Sequence, residues 1–382
     1  MSKTEKPSIR FHGFDDTWEQ RKLGDNIAEY TEKTTINNQY PVLTSSRRGI
    51  FFQTDYYDGN QIASADNTGY NIVPYGYFTY RHMSDDEIFH FNINDITENG
   101  IVSTLYPVFT TDENLDSRYL QYQLNYGKEF AKYAVLQKQG GSRTYMYLNK
   151  LKELRLTIPN FVEEQKKISA YFMKLDNFIT LHQRKFEKLT NVKKSMLEKM
   201  FPQNGSCYPA VRFKGFTGPW ERRKFGDVFE EYSEKNRADL PPLTIIQGSG
   251  TIRRDESERA LQYDKASLSN YKVVNEGDLI VHLRSFEGGL EKANSQGIIS
   301  PAYHTFHGEG VDSRFYYTYF RSKNFIDTDL KPHVYGIRDG RSIDIEGMKT
   351  IEIPFTSYPE QKLIGDAIDS INTLISLQRR EL

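Results

Sequence analysis

Arginines beside glycine, serine or tyrosine are the residues of this 382-residue chain best suited to a chemical role. A guanidinium group binds phosphate and pairs bidentately with guanine, a hydroxyl adds a phosphate hydrogen bond, and a neighbouring glycine lets a loop come close. These groups therefore predict contacts with nucleic acid. The candidates are Arg47, Arg48, Arg81, Arg143 and Tyr145 in the first half, and Arg253, Arg254, Arg284, Arg338 and Arg341 in the second.

A single surface arginine is most often only solvated, so recurrence of a cluster matters more than any one member. Gly141 and Arg143 recur as Gly336 and Arg338, at corresponding places in the two halves. This recurrence favours a shared role for the two segments.

Patterns typical of catalysis or metal binding are missing from the sequence. It has no phosphate-binding glycine loop and no nucleophile elbow. His304 and His307 could hold a metal, but no third ligand stands out, and the acidic run at residues 85–87 is interpreted as a solvated loop. The single cysteine, Cys207, excludes an internal disulfide. We therefore expect a protein that is not an enzyme and binds neither metal nor cofactor.

The composition limits the class of protein. The formal net charge is −1, so attraction to nucleic acid would depend on local basic patches. With 37% hydrophobic residues the chain can bury a core. No apolar run approaches a membrane span, and the N-terminus has no apolar stretch typical of a signal peptide. We expect a cytoplasmic protein that does not bind membranes.

The most informative feature is an internal repeat. Residues 7–33 align with residues 209–235 at an offset of 202, and 15 of the 27 aligned positions are identical. Shorter matches follow in the same order, down to Ile-Pro and Glu-Gln-Lys at residues 158–166 and 353–362. A single duplication of this size predicts two similar globular domains in a pseudo-two-fold arrangement.

The middles of the two halves hardly match. Residues 36–98 and 238–295 share little beyond Gly76 and Gly277. Drift after a gene duplication accounts for the two copies. Two different recognition surfaces on one scaffold would also explain why the middles diverged while the matched segments around them, the frame of each half, stayed similar.

Two stretches have the apolar spacing of a coiled coil. Residues 162–201 contain neither proline nor glycine, and forty helical residues would span about 60 Å. The second stretch begins near Pro359. We expect the two helices to pack through Ile168, Phe172, Leu175 and Ile179 in the first and Ile364, Ile368, Ile371 and Ile375 in the second.

Polar residues take corresponding positions in the two seams. His182 falls opposite Gln378 at an offset of 196, and we hypothesise that the two meet and help to set the register. Leu382 corresponds to Phe186, so the second helix would be about 15 residues shorter than the first. Truncation and a naturally short helix both remain open.

Short runs rich in Tyr, Phe, Ile, Thr and Val predict strands in each half, and the segments after residues 117 and 313 predict helices. The expected fold class is therefore mixed α/β. The expected domains are residues 1–155 and 207–350, with a central spacer helix at 156–206 and a short distal helix at 351–382.

The motif W-E-x-R-K-[L/F]-G-D near the start of each half resembles the DNA-specificity (S) subunits of type I restriction-modification systems. Gly-x-Arg, Ile-Pro and Glu-Gln-x-x-Ile before a long helix resemble them too, and residues 181–201 are similar to the central conserved helix of that family. The resemblance covers essentially the whole chain. Only the short final helix departs from it.

The resemblance implies two target-recognition domains that each read half of a bipartite site in double-stranded DNA. Two long antiparallel coiled-coil helices would separate them as a ruler. Two methyltransferase subunits would methylate adenine with S-adenosylmethionine, and restriction subunits would use ATP and magnesium. The specificity chain itself would bind no cofactor.

Three other interpretations stay open. The chain could serve the same role in an assembly whose nuclease and methyltransferase are fused in one partner. It could be a stand-alone nuclease or methyltransferase, which activity of the isolated chain would reveal. It could also be a coiled-coil adaptor that never contacts DNA.

Overall fold

The computed structural model describes residues 4–60, 62–138, 143–203, 205–257, 265–282, 289–335 and 342–381. Arg284, Arg338 and Arg341 lie outside these ranges. The chain divides into two compact units, residues 1–178 and 179–382, and the boundary falls inside the longest helix. Each unit is a mixed α/β structure.

The first unit is built on a four-stranded antiparallel sheet of order β3-β11-β7-β9. Its core contains a stacked ring pair, Phe78 and Phe109, whose centroids are 4.6 Å apart. The strands are β1 Thr4–Glu5, β2 Trp18–Lys22, β3 Ile27–Glu29, β4 Leu43–Ser46, β5 Gly49–Phe52, β6 Asn71–Pro74, β7 Phe78–Tyr80, β8 Met83–Ser84, β9 Phe91–Ile93, β10 Asn99–Val102, β11 Val108–Thr111, β12 Thr144–Tyr145 and β13 Arg155–Ile158. The helices are α1 Gln53–Tyr56, α2 Ser117–Tyr126, α3 Lys128–Leu136, α4 Leu148–Lys152 and α5 Val162–Lys199, which continues into the second unit.

The second unit has an equivalent four-stranded sheet of order β15-β22-β19-β20. Its core is rich in aromatic residues, including Phe225, Phe306 and Phe320. The strands are β14 Glu221–Lys224, β15 Glu230–Tyr232, β16 Leu243–Ile246, β17 Gly250–Arg253, β18 Lys272–Val274, β19 Leu279–His282, β20 Glu291–Lys292, β21 Gly297–Ile299, β22 Tyr303–His307, β23 Val334–Tyr335, β24 Ser342–Ile343 and β25 Glu352–Phe355. The helices are α6 Phe225–Val228, α7 Ser313–Phe320, α8 Ile345–Lys349 and α9 Tyr358–Glu381.

The divergent middles share a backbone topology that their sequences conceal. In the first unit β4 pairs with β5 and β6 with β10. In the second unit β16 pairs with β17 and β18 with β21. An isolated parallel bridge precedes each hairpin, from Val42 to Ile101 and from Pro242 to Ile298. The variable region of each half is therefore the same fold with different side chains.

A buried clamp fixes the start of α5 to the first unit. Arg10 donates two hydrogen bonds to the Glu164 carboxylate, from Nε to Oε1 at 2.6 Å and from Nη2 to Oε2 at 2.7 Å. The indole Nε1 of Trp18 donates to the same carboxylate at 3.4 Å. Glu164 is fully buried, so its charge depends on this partner.

The second unit repeats the clamp at the start of α9. Arg212 donates to the buried Glu360 carboxylate at 2.6 and 2.9 Å, and Trp220 Nε1 donates to it at 3.1 Å. The matched segments at the two ends of each half are therefore the two sides of one structural joint. That role explains why the frame is the part of the sequence in which the repeat is visible.

Candidate nucleic-acid interface

Arg47 and Arg48 form the tip of the hairpin between β4 and β5. The strands pair through Ser46 and Gly49, which leaves the two arginines as the connecting loop. Gly49 has a φ of +119°, a conformation that a residue with a side chain rarely adopts. Both arginines are exposed, so the turn presents two guanidinium groups to solvent.

The two tip arginines differ in their contacts. Arg47 donates to Asp86. The guanidinium of Arg48 lies 5.8 Å from the ring centre of Phe51 and 5.5 Å from that of Tyr56, within cation–π range. Arg48 has no carboxylate partner among the described residues. Its positive charge is therefore held on an aromatic surface without being neutralised.

A side chain from the edge of the sheet anchors this hairpin. Asn92 of β9 donates from Nδ2 to Ser45 Oγ at 2.8 Å and to the Ser46 carbonyl at 2.9 Å. Ser45 Oγ in turn donates to the carbonyl of Thr79 in β7 at 3.1 Å. Asn92 and Ser45 are buried, so the hairpin is fixed to the sheet up to its last residue before the turn.

Arg47 and Arg81 line one concave surface of about 260 Å³, together with Asp85 and His90. In the part of the chain that the structure describes, Arg81 has no hydrogen-bond or ion-pair partner. Burial lowers the pKa of His90, and the charge of Arg47 lowers it further. The remaining lining residues are Thr44, Ser45, Ser46, Tyr56, Tyr57, Met83, Ser84, Ile88, Phe89 and Tyr106.

Asp85 and Asp86 of the acidic run at residues 85–87 are exposed, and each acid of the run is also paired with a cation. Asp85 accepts from Arg143 Nε at 2.8 Å, Asp86 accepts from Arg47, and Glu87 accepts from Lys138. Consecutive acids therefore bind cations from three separate segments. The sequence shows the run but not its partners, because they lie 39 to 58 positions away.

These ion pairs are weak enough to exchange for a ligand. Arg47 and Asp86 are both about half exposed, as are Arg143 and Asp85, so water screens both pairs and each contributes little to stability. The hydrogen bond from Arg47 lowers the pKa of Asp86 to about 2, and Ser84 adds to this effect. A phosphate group could replace either carboxylate at little cost.

Arg143 and Tyr145 belong to the same region of the first unit. Tyr145 in β12 pairs with Met83 of β8, and Met83 lines the concave surface. The Tyr145 ring is exposed and stacks on Tyr147, with centroids 5.9 Å apart and an interplanar angle of 12°. The structure thus places Arg47 and Arg81 on the concave surface and connects Arg143 and Tyr145 to two of its lining residues, Asp85 and Met83.

The described candidates of the second unit are more dispersed. Arg253 is paired with Asp255, with Nη2 at 2.9 Å from Oδ2. Arg254 lies 5.2 Å from the ring centre of Tyr271. The second hairpin therefore ends in arginines that contact neighbours in their own unit.

The tip of the second hairpin carries an amide where the first carries arginines. β16 and β17 pair through Ile246 and Gly250, and Gln247 is exposed in the turn. The buried Glu291 of β20 accepts from the backbone N–H groups of Gly248 at 2.8 Å and Gly250 at 3.2 Å. Glu291 is itself held by Tyr317 at 2.9 Å and by Arg321.

His304 and His307 do not converge on one point. His304 Nδ1 is 2.6 Å from Glu231, whereas His307 Nδ1 is 2.7 Å from Asp278. Within the described ranges no group of three His, Cys, Asp or Glu residues is placed to hold a metal ion. These histidines are bound to separate carboxylates of their own unit.

The predicted helix seam is packed in the second unit. Ile364 and Ile368 of α9 are 2% and 4% exposed, and they pack in one cluster with Met200 and Phe201. Ile371 and Ile375 are half-buried. Nearer the end of α9, Gln378 is hydrogen-bonded to His182, as the seam alignment predicts. α9 and the second half of α5 therefore run antiparallel.

The corresponding positions in the first half of α5 are more exposed. Ile168 packs against the core of its unit, but Phe172, Leu175 and Ile179 are 43%, 38% and 48% exposed. Phe172 contacts Tyr122 at a centroid distance of 5.3 Å. The packing role of these three residues stays a prediction, because no described residue covers them as Ile364 and Ile368 are covered.

The chain matches the model of the type I restriction modification DNA specificity domain over residues 15–191. The MjaX type I restriction enzyme specificity subunit of Methanocaldococcus jannaschii is 23% identical over 288 residues, which cover 70% of this chain and 64% of that protein. The MjaVIII specificity subunit of the same organism is 25% identical over 303 residues, 74% of this chain and 70% of that one. In sequence, the chain is thus similar to specificity subunits of type I restriction enzymes.

The chain also has the fold of a solved S subunit. The crystal structure of the type I restriction-modification system S subunit from M. genitalium matches 99% of this chain and 95% of that chain, with a TM-score of 0.55 and 10% identity. The chain spans slightly less than two thirds of the MjaX relative. Among the described residues, no helix has the length and apolar character that a membrane span requires.

Proposed function

We propose that this chain reads a bipartite sequence in double-stranded DNA, each unit contacting one half of the site. One observation carries the proposal. The two units repeat a single fold and a single buried clamp, yet they differ in the side chains at their exposed hairpin tips. A scaffold that is kept while its exposed surface changes suits two readers of different sequences.

The charge distribution of the first unit supports the same role. Arg81 has no carboxylate partner in the described ranges, Arg48 rests on aromatic rings, and Arg47 and Arg143 are held by exposed aspartates. Binding to DNA would replace these aspartates with phosphates and release counterions. The overall charge of −1 does not oppose this, because the relevant field is local.

Catalysis belongs, in this proposal, to partner subunits. Two methyltransferase subunits would methylate adenine using S-adenosylmethionine, and restriction subunits would use ATP and magnesium. The specificity chain would hold no cofactor and would act in the cytoplasm, where these partners meet DNA. Its contribution to the reaction would be the choice of site.

A map of methylated adenines in the host genome, with and without this gene, tests the proposal. We expect a two-part motif whose methylation disappears on deletion and returns when the wild-type gene is restored. The same map would give the two half-sites and the length between them. An unchanged map in cells that produce the chain and its methyltransferase partner would contradict the proposal.

Two alternatives predict different results. An assembly with a fused nuclease-methyltransferase would give the same motif, and purification of the complex would reveal one partner chain instead of two kinds. A coiled-coil adaptor would give no DNA shift at low salt even with methyltransferase subunits present. Specific binding by the proposed complex should instead be strong at low salt and fall steeply as salt rises.

A further inference from the structure

The two hairpin tips occupy equivalent places in the two units. Glu29 pairs with Phe109, and Phe109 with Phe78. In the second unit Glu231 pairs with Phe306, and Phe306 with Leu279. The sheets therefore superimpose strand for strand, although the intervening sequences do not align.

This register makes the two hairpin anchors equivalent. Asn92 lies opposite Thr79 in the first sheet, and Glu291 lies opposite Ile280 in the second. Thr79 and Ile280 are each three residues after the matched glycines at 76 and 277. The same sheet position thus holds both hairpins, through an amide in one unit and a carboxylate in the other.

The anchoring fixes the strand residues of each hairpin and leaves its exposed turn residues available to contact a ligand. Asn92 holds the last strand residues before the first turn, and Glu291 holds the backbone of the second turn itself. A turn fixed in this way loses little conformational entropy on binding. Two-stranded ribbons of this kind fit the major groove of DNA, where base edges are distinguishable.

The exposed groups at the tips have different preferences for bases. Arg48 offers a guanidinium fork with no carboxylate partner among the described residues, and arginine pairs best with guanine. Gln247 offers an amide with no hydrogen-bond partner in the same ranges, and glutamine pairs bidentately with adenine. Arg47 is already tied to Asp86, which makes it the less available of the two tip arginines.

We propose that the two hairpin tips are the base-reading elements of the chain, with Arg48 contacting a guanine in one half-site and Gln247 an adenine in the other. The inference rests on the proposed function and deepens it by naming the reading groups. It also separates the two halves, since each tip belongs to one unit. A substitution at one tip should leave the other half-site unaffected.

The experiment compares adenine-methylation maps of cells producing wild-type chain, Arg48→Ala, Arg48→Gln or Gln247→Ala, each with the natural partner subunits. Arg48→Ala should relax one base of one half-site by roughly 10- to 100-fold in discrimination. Arg48→Gln should shift the preference at that base from guanine toward adenine. Gln247→Ala should relax one adenine of the opposite half-site and leave the first half-site unchanged.

Arg155→Ala is the matched control, because Arg155 is also exposed and lies in the separate sheet of β1, β2 and β13. It should leave every base of the motif unchanged. A role of Arg48 in phosphate binding alone would lower methylation at all sites without altering any base preference in Arg48→Ala and Arg48→Gln. That result would overturn the inference.

The remaining outcomes are also decisive. Unchanged motifs in all three tip variants would overturn the inference, as would loss of all methylation by a variant that still folds and binds its partners. Thermal unfolding and co-purification of the complex supply that check, and Arg48→Lys replaces any arginine variant that fails it. A wild-type map without any bipartite motif would instead contradict the proposed function, so the two failures are distinguishable.

Discussion

The same helix face is buried in one unit and exposed in the other. Ile368 of α9 and Phe172 of α5 are equivalent through the offset of 196. Ile368 lies in the core of the second unit with Met200 and Phe201 and is 4% exposed, whereas Phe172 is 43% exposed. Each residue follows the same type of clamp, Arg10 with Glu164 or Arg212 with Glu360. The difference in exposure therefore does not come from the clamps.

This difference shows that apolar spacing predicts which face of a helix can be buried. It does not predict which segment packs on that face. The second face is covered by the end of α5, from Met196 to Phe201. The clamps, the two faces and the two hairpins can each be compared by substitution.

The largest effect is expected at the clamps, where the two units should behave alike. Arg212→Met would leave the Glu360 carboxylate buried without its partner, at a cost of about 3–5 kcal/mol in the free energy of unfolding of that unit. Arg10→Met should cost the first unit a similar amount through Glu164. Hydrogen exchange resolved by segment measures both. A small cost in only one unit would show that its clamp is more accessible to water than its burial implies.

The helix faces should respond unequally to truncation. Ile368→Ala removes a buried side chain and should cost about 2–5 kcal/mol. Phe172→Ala removes a ring that is 43% exposed and should cost less, about 1 kcal/mol. Chemical denaturation of the two variants and the wild type measures the difference. Equal costs would mean that the first face is covered in solution, and the comparison would fail.

The repeated segments and the packed part of the α9 seam could be predicted from the sequence, because they depend on long identical segments and on local spacing. The pairing of His182 with Gln378 followed from the seam alignment alone and is present in the structure. The shared fold of the middles was not predicted. Backbone hydrogen bonds between strands fix that fold, and many different side chains are compatible with them.

The sequence indicates which residue types could form the candidate site. It does not indicate which residues those side chains contact within the unit. Arg47 and Arg143 were expected to face a ligand, but the structure places each against an aspartate of its own unit. The anchors Asn92 and Glu291 were not predicted at all. A polar residue in a strand has no distinctive sequence pattern, and its role depends on a hairpin more than 40 residues away.

A peptide with the sequence of residues 187–203 tests the exposed face directly. It contains the segment that covers the apolar face of α9. In the structure, the ring centroids of Phe201 and Trp220 are 6.0 Å apart. If the first face is equivalent, the added peptide should slow amide exchange at residues 171–180 by a modest factor. A peptide with Met200→Ser and Phe201→Ser should have no effect. Equal effects of both peptides would indicate non-specific association.

The smallest expected effect concerns the two hairpins, which are held by different electrostatic means. The first tip is tied by the exposed Asp86, whereas the second is held by the buried Glu291. Because Arg47 lowers the pKa of Asp86 to about 2, its stabilising contribution is complete above the ordinary aspartate pKa of about 3.9. It is then lost as pH falls toward 2.

Arg47→Ala should raise the pKa of Asp86 toward that ordinary value, and carboxyl NMR titration of wild type and variant measures the change. Arg48→Ala is the matched control and should leave the titration unchanged, because Arg48 lies on Phe51 and Tyr56. A pKa that stays near 2 in Arg47→Ala would assign the effect to the hydrogen bond from Ser84. In that case the first tip would be free of its carboxylate, and both arginines would be equally available to a ligand.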